Sequence, residues 1–160
     1  MGVEREITAD GAFTVLYSFQ LTGWSPSSSL IQASDGNLYG TTAWGGGSSN
    51  CYASNGCGTV YKITPQGVFT ALYSFNEAAG PFYLIEASEG NFYGTTFDGG
   101  PSTNCNSGCG TIFQLTPGGA LTTLYSFSRS DGSQPGQLIQ ATDGNYYGAR
   151  CRNCLPPVEL

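Results

Sequence analysis

The sequence predicts an all-β protein of the β-propeller kind, assembled from four-stranded antiparallel blades. Three observations predict it. An aromatic seven-residue segment occurs three times, a hairpin segment built around an acidic residue and glycine recurs with it, and no stretch keeps a helical period.

The aromatic segment reads Phe13 to Phe19, then Phe69 to Phe75, and again Leu121 to Phe127, each closing on Leu-Tyr-Ser-Phe. Its alternation places Phe69, Ala71, Tyr73 and Phe75 on one face of a strand. The hairpin segment runs from Leu30 to Thr42, from Leu84 to Thr96, and from Leu138 to Gly148. In each copy Asp35-Gly36, Glu89-Gly90 or Asp143-Gly144 separates two short apolar runs. Glycine there accepts the positive φ of a tight turn, and the acid caps its own backbone. A third segment, Gly58 to Pro65, returns as Gly110 to Pro117, with a degraded copy opening at Gly2 and Ile7 in the place of Ile63. Pro65-Gln66-Gly67 then marks a turn into the aromatic strand. One repeat domain spans residues 1–160, with repeats near 2–57, 58–109 and 110–160. A single four-stranded unit cannot bury both its faces, so the units must stack.

Composition narrows the partners. Only 10% of residues are charged, the net charge is −6, and Lys62 is the single lysine. A phosphate backbone or an anionic membrane surface needs clustered cations, so neither nucleic acid nor membrane is an expected partner. No apolar run approaches a membrane span. The opening Met1-Gly2-Val3-Glu4-Arg5-Glu6 has neither the basic start nor the apolar core of a signal peptide. A surface rich in Ser, Thr, Asn and Gln leans towards life outside the cell.

Six cysteines fall in close pairs: Cys51 with Cys57, Cys105 with Cys109, and Cys151 with Cys154. Even count and local pairing favour disulfides and an oxidising compartment. A closed zinc site is the rival, but it needs two pairs from different repeats to converge, and free thiols are the third reading.

The pattern Leu-Ile-x-Ala-(Ser/Thr)-(Asp/Glu)-Gly-Asn-x-Tyr-Gly-Thr-Thr, then Gly-Gly, then Gly-Thr-Val-Tyr-x-Ile-Thr-Pro resembles the GloVer-type tandem repeat of bacterial exported proteins. The resemblance covers nearly the whole chain and implies a surface or secreted protein with no assigned reaction. Asp35-Gly36-Asn37-Leu38-Tyr39-Gly40-Thr41 is also similar to the blade signature of sensor-type propellers. That similarity implies a strand order with the Leu30 strand innermost, followed by the Leu38, Val60 and Phe69 strands. In that phase the chain holds two full blades and two complementary half-blades, residues 2–19 and 138–148. Three blades are too few for the usual ring of four to eight. Three solutions follow: a closed dimer, a filament, or a chain that is a fragment of a longer protein, and the expected partner is the chain itself.

No catalytic constellation is visible and no cofactor is expected. Histidine is absent from the sequence, which removes histidine-dependent triads and metal ligands. Glu86 and Asp98 are candidate carboxylates because the first repeat has Gln32 and Trp44 in their places. A solvated strand residue and a loop acid describe them as well. The spacing of a calcium loop is absent around Asp35, Glu89 and Asp143. Trp24 and Trp44, with Tyr39, Tyr93 and Tyr147, are candidates for stacking on sugar rings, against blade-to-blade packing as the plainer role. The sequon Asn-x-Ser/Thr occurs nowhere. The leading expectation is a non-enzymatic extracellular scaffold or adhesin that assembles through its half-blades. The alternative is a carbohydrate-binding propeller or a remote carbohydrate-active enzyme.

Overall fold

A computed structural model describes residues 3–19, 25–48, 51, 56–77 and 79–148. Its described strands are β1 (Val3–Ile7), β2 (Phe13–Ser18), β3 (Ile31–Gln32), β4 (Leu38–Thr42), β5 (Thr59–Ile63), β6 (Phe69–Ser74), β7 (Pro81–Glu86), β8 (Phe92–Thr96), β9 (Thr111–Leu115), β10 (Leu121–Ser126), β11 (Leu138–Gln140) and β12 (Tyr146–Gly148). They form two four-stranded sheets, β3-β4-β5-β6 and β7-β8-β9-β10, flanked by the two-stranded sheets β1-β2 and β11-β12. All pairings within these sheets are antiparallel. The predicted strand order and the two half-blades are both present. The first inner strand is shorter than expected, starting at Ile31 rather than Leu30.

The turn chemistry explains the hairpins. In the first, the Gly36 N–H donates to Ala33 O and the Ala33 N–H to Asn37 O, both at 2.9 Å, while Gly36 takes a φ of 79°. A turn closed by a left-handed glycine leaves one extra residue that matches strand twist. Asp35 Oδ1 accepts the Asn37 N–H at 2.9 Å, and Asp143 does the same for Asn145. Within each full blade a threonine pair crosses between the second and third strands, Thr42 with Thr59 at 2.8 Å and Thr96 with Thr111 at 2.9 Å. All four are buried, and the mutual bond satisfies hydroxyls that water cannot reach.

The predicted face of the aromatic strand is corrected by a bulge. Val60 pairs with Tyr73 but Tyr61 pairs with Ala71, so Leu72 is inserted without a partner. Leu16 and Leu124 occupy the same bulge in the other copies. One extra residue reverses the side-chain alternation beyond it. Phe69 therefore joins Tyr17, Phe19 and Tyr61 on the side of the β1-β2 sheet, while Tyr73 and Phe75 join Phe113 on the side of the β7–β10 sheet. Ala71 is exposed.

The core lies in layers between adjacent sheets. Tyr17 stacks on Phe69 with ring centroids 4.6 Å apart, and Phe75 meets Phe113 edge-on at 5.7 Å. Large side chains with no solvent exposure, such as Tyr61 and Phe113, each contribute roughly 1.5–3 kcal/mol of transfer free energy.

Candidate functional site

The blade interfaces reuse a small set of contacts, and those contacts locate the candidate site. The first is a ring packed over a glycine. Tyr61 on β5 covers Gly40 on β4, where a Cβ would lie 2.5 Å from the Tyr61 hydroxyl. Phe113 on β9 covers Gly94 on β8, where a Cβ would lie 2.3 Å from the ring. The third glycine of the series, Gly148 on β12, meets no such ring among the described residues. The atoms nearest to its Cβ position are Leu138 Cδ2 and the backbone of Gln137.

The space where that third ring would sit is a cavity of about 550 Å³. Its walls include Ile112, Leu124, Phe127, Leu138 and Gly148, with Asp131 also lining it. These positions repeat the surroundings of Phe113, where Val60, Leu72, Phe75 and Leu84 share one apolar cluster. Asp131 accepts bonds from the Tyr125 hydroxyl at 2.5 Å and the Ser128 N–H at 2.8 Å. The Tyr125 bond is the main cause holding its pKa below the ordinary carboxylate value, so it is an anion at neutral pH.

Glu86, a sequence candidate for acid–base work, is instead a clip between blades. Its carboxylate accepts the Ser34 N–H at 2.7 Å and the Ser34 hydroxyl at 2.6 Å, binding the hairpin turn of the preceding blade. Gln140 does the same one blade later, accepting the Ser88 N–H at 2.8 Å. Asp98 lies beyond the other end of β8, where its N–H donates to Ala79 O. The four strand steps from Phe92, the partner of Glu86, to Thr96 already span roughly 13 Å, and Asp98 lies beyond them. Two carboxylates that cooperate on a glycosidic bond stand about 5–9.5 Å apart, so these two do not form such a pair.

The tyrosines proposed for sugar stacking are placed as follows. Tyr39 packs on Phe92 at 4.2 Å and Tyr93 on Tyr146 at 4.1 Å, so both are buried with the next blade over one face. Their hydroxyls donate to Asp35 at 2.8 Å and Glu89 at 2.7 Å. Burial, with the Asp35 carboxylate adding to it, raises the Tyr39 phenol well above its usual range and keeps it a donor. Tyr147 donates to Asp143 in the same way but is 51% exposed, because no further blade covers it among the described residues. Trp44 is half-buried in the β4–β5 connection. Trp24 lies outside the described residues.

Two disulfides close the connections between the second and third strands. Cys51 bonds Cys57 and Cys105 bonds Cys109, while Cys151 and Cys154 lie outside the described residues. The second loop is also tied to the β10–β11 connection, with Arg129 donating to Asn104 O at 3.1 Å and Asn104 donating to Ser128 O at 2.9 Å. Replacing Cys105 and Cys109 with serine is expected to cost about 2 kcal/mol through the unfolded chain's regained freedom. Urea unfolding should then show a lower midpoint than the parent.

At the opposite edge, the Tyr61 hydroxyl donates to Glu4 at 2.5 Å. Burial raises the Glu4 pKa above its ordinary 4.5, and the Tyr61 bond only partly opposes it. Ionised Glu4 thus costs the folded state stability. That stability is fully present below the unfolded pKa and is lost as pH rises through the raised folded value. Glu4→Gln keeps an acceptor for Tyr61 without the charge. Its melting temperature should exceed the parent's at pH 7 and converge with it by about pH 4 in thermal scans.

Solved structures similar to this chain include lyases. A virginiamycin B lyase from Staphylococcus aureus superposes with a TM-score of 0.65 at 20% identity, covering 91% of this chain and 41% of the lyase. A catalytically inactive histidine-to-alanine variant of that lyase, with quinupristin, matches with a TM-score of 0.65 at 19% identity over the same shares. A streptogramin B lyase gives 0.62 at 16% identity, covering 94% of this chain and 48% of the lyase. The chain spans less than half the length of these propellers, and at such identity the likeness is one of fold. No curated protein sequence matches the chain. Residues 2–153 match the model of the Gloeobacter/Verrucomicrobia repeat, and the chain, a β-propeller repeat protein, belongs to that family.

Proposed function

We propose that this chain is an extracellular scaffolding repeat protein that assembles with copies of itself by completing its terminal half-blades. The observation that carries the reading is the cavity beside β12. There a two-stranded sheet ends at a strand paired only with β11 among the described residues, next to an apolar hollow shaped like the seat of an interior ring. The other end supplies the complement. Ile7, Phe13 and Val15 of the β1-β2 sheet are exposed, at sequence positions whose counterparts in the full blades include the buried Ile63 and Leu115. Free strand edges and apolar ends are what soluble proteins cover, and a second half-blade covers both.

The disulfides support an oxidising compartment outside the cell. The low charge content agrees with it. A scaffold is also favoured over the lyase chemistry of the structural neighbours. The inactive variant lost a histidine, and this sequence contains none.

Size-exclusion chromatography with light scattering tests assembly. Masses at multiples of 16.8 kDa are expected for the 160-residue chain. A species that stays at 16.8 kDa up to high micromolar concentration overturns the proposal.

A further inference from the structure

We infer that the cavity beside Gly148 is the socket for β1 of a second copy of this chain, in a register that pairs Tyr146 with the partner's Ile7, Tyr147 with the partner's Glu6 and Gly148 with the partner's Arg5. The inference rests on the assembly reading above and specifies its geometry.

The register follows from the two complete blades, which agree with each other. In one, Leu38 pairs with Ile63, Tyr39 with Lys62 and Gly40 with Tyr61. In the other, Phe92 pairs with Leu115, Tyr93 with Gln114 and Gly94 with Phe113. β12 continues the series of β4 and β8, and β1 heads the series of β5 and β9. The β1–β2 pairing confirms the alignment of β1, since Arg5 sits opposite Val15 as Tyr61 sits opposite Ala71, with the same bulged leucine next to it.

Contacts at the two ends have the same phase. Phe69 stacks on Tyr17 across one blade interface, and Leu121 shares a cluster with Tyr73 across the next. The following member of that series joins Phe13 to Tyr125, which are 55% and 46% exposed. Tyr39 covers Phe92 and Tyr93 covers Tyr146, which leaves Tyr147 for the partner's Leu38. Glu86 and Gln140 each clip the N–H of a turn residue 52 positions earlier in sequence. By the same rule the partner's Gln32 meets the N–H of Thr142. Ring contacts, apolar seats and polar clips all place the second copy in one pose.

The knob itself departs from the interior series. Where Tyr61 and Phe113 carry a ring, β1 carries Arg5, whose guanidinium lies 5.2 Å from the centre of the Phe13 ring. The socket differs in the matching way, with the Asp131 carboxylate on its wall. Asp131 is exposed at the edge of the socket, and a cation directed at an anion there fixes register and penalises wrong partners. The interior blades offer no such complement, since Tyr61 and Phe113 are neutral. This charge pair therefore distinguishes the junction between copies from the junctions within one.

The test uses two variants of the full chain, Glu6→Cys and Tyr147→Cys, purified separately, mixed and mildly oxidised. Both positions are exposed, so neither substitution removes core. Directly opposed Cβ atoms lie about 4.5–5.5 Å apart, close enough for a cross-strand disulfide after small adjustment. A covalent dimer from the mixture, with neither variant alone nor the mixed pair Ile7→Cys and Tyr147→Cys giving one, supports the register. Arg5→Glu should in addition weaken self-association on the order of tenfold, whereas in the dilute chain it loses only the exposed contact with Phe13 and so lowers the melting temperature only slightly. If light scattering still reports assembly but the Glu6/Tyr147 mixture does not cross-link, or the shifted pair cross-links equally well, the register is wrong and the assembly reading stands. If the parent chain is monomeric, both fall together.

Discussion

Replacing Phe113 with alanine should lower the unfolding free energy by about 3–5 kcal/mol, the range for emptying a buried aromatic site. Its ring has no solvent exposure and shares one cluster with Val60, Phe75, Leu84 and Leu115, drawn from both full blades. The loss is therefore felt by two sheets at once. At about 2–4 °C per kcal/mol for a chain of this size, the melting temperature should fall by roughly 6–20 °C. Thermal unfolding followed by circular dichroism measures it. Val68→Ala, at a residue 59% exposed, is the control and should stay within about 0.5 kcal/mol. A Phe113→Ala shift no larger than that control would refute the interlocked packing described above.

Gly94→Ala should be nearly as damaging for the opposite reason, because it adds matter where none fits. The new Cβ would stand 2.3 Å from Phe113 Cζ and 2.7 Å from the Tyr83 carbonyl oxygen. The ring can shift only into other buried side chains, and the carbonyl belongs to the neighbouring strand. A cost of about 3 kcal/mol is expected, the upper end of the usual overpacking range. Phe113→Leu, made in the same chain, removes the ring tip but leaves the Tyr83 clash. The double variant should therefore recover only part of the loss, with a coupling energy of about 1 kcal/mol or more. Strict additivity in a double-mutant cycle by urea unfolding would show that Phe113 does not sit on Gly94.

These two residues also show what the sequence made legible. Tyr-Gly-Thr after an acidic-glycine turn was readable as the second strand of a hairpin, because turn type and pleat depend on residues only a few positions apart. The cysteine pairing was readable for the same reason, with separations of 6 and 4 residues. The two-stranded sheet at each end followed from the phase of the repeat. The face of the aromatic strand was misread, since counting by twos assumes an unbroken ladder. Nothing in Leu-Tyr-Ser-Phe announces that Leu16, Leu72 and Leu124 are bulged out of it. Glu86 stood out only as a departure from Gln32. Its service as a clip on Ser34 depends on a contact 52 residues away in sequence.

The repeat, its hairpins, the Cys51–Cys57 and Cys105–Cys109 disulfides and the order of strands within a blade are all written in the amino-acid order. Each of these is set by chemistry between near neighbours along the chain. Only the packing of the sheets sets which faces meet, which tyrosines are closed off between blades, and where, among the described residues, a cavity lies beside Gly148. Those outcomes depend on side chains some 50 residues apart coming together, and on a bulge that redirects them. A repeat can state its own local rules many times over without stating how successive copies interlock.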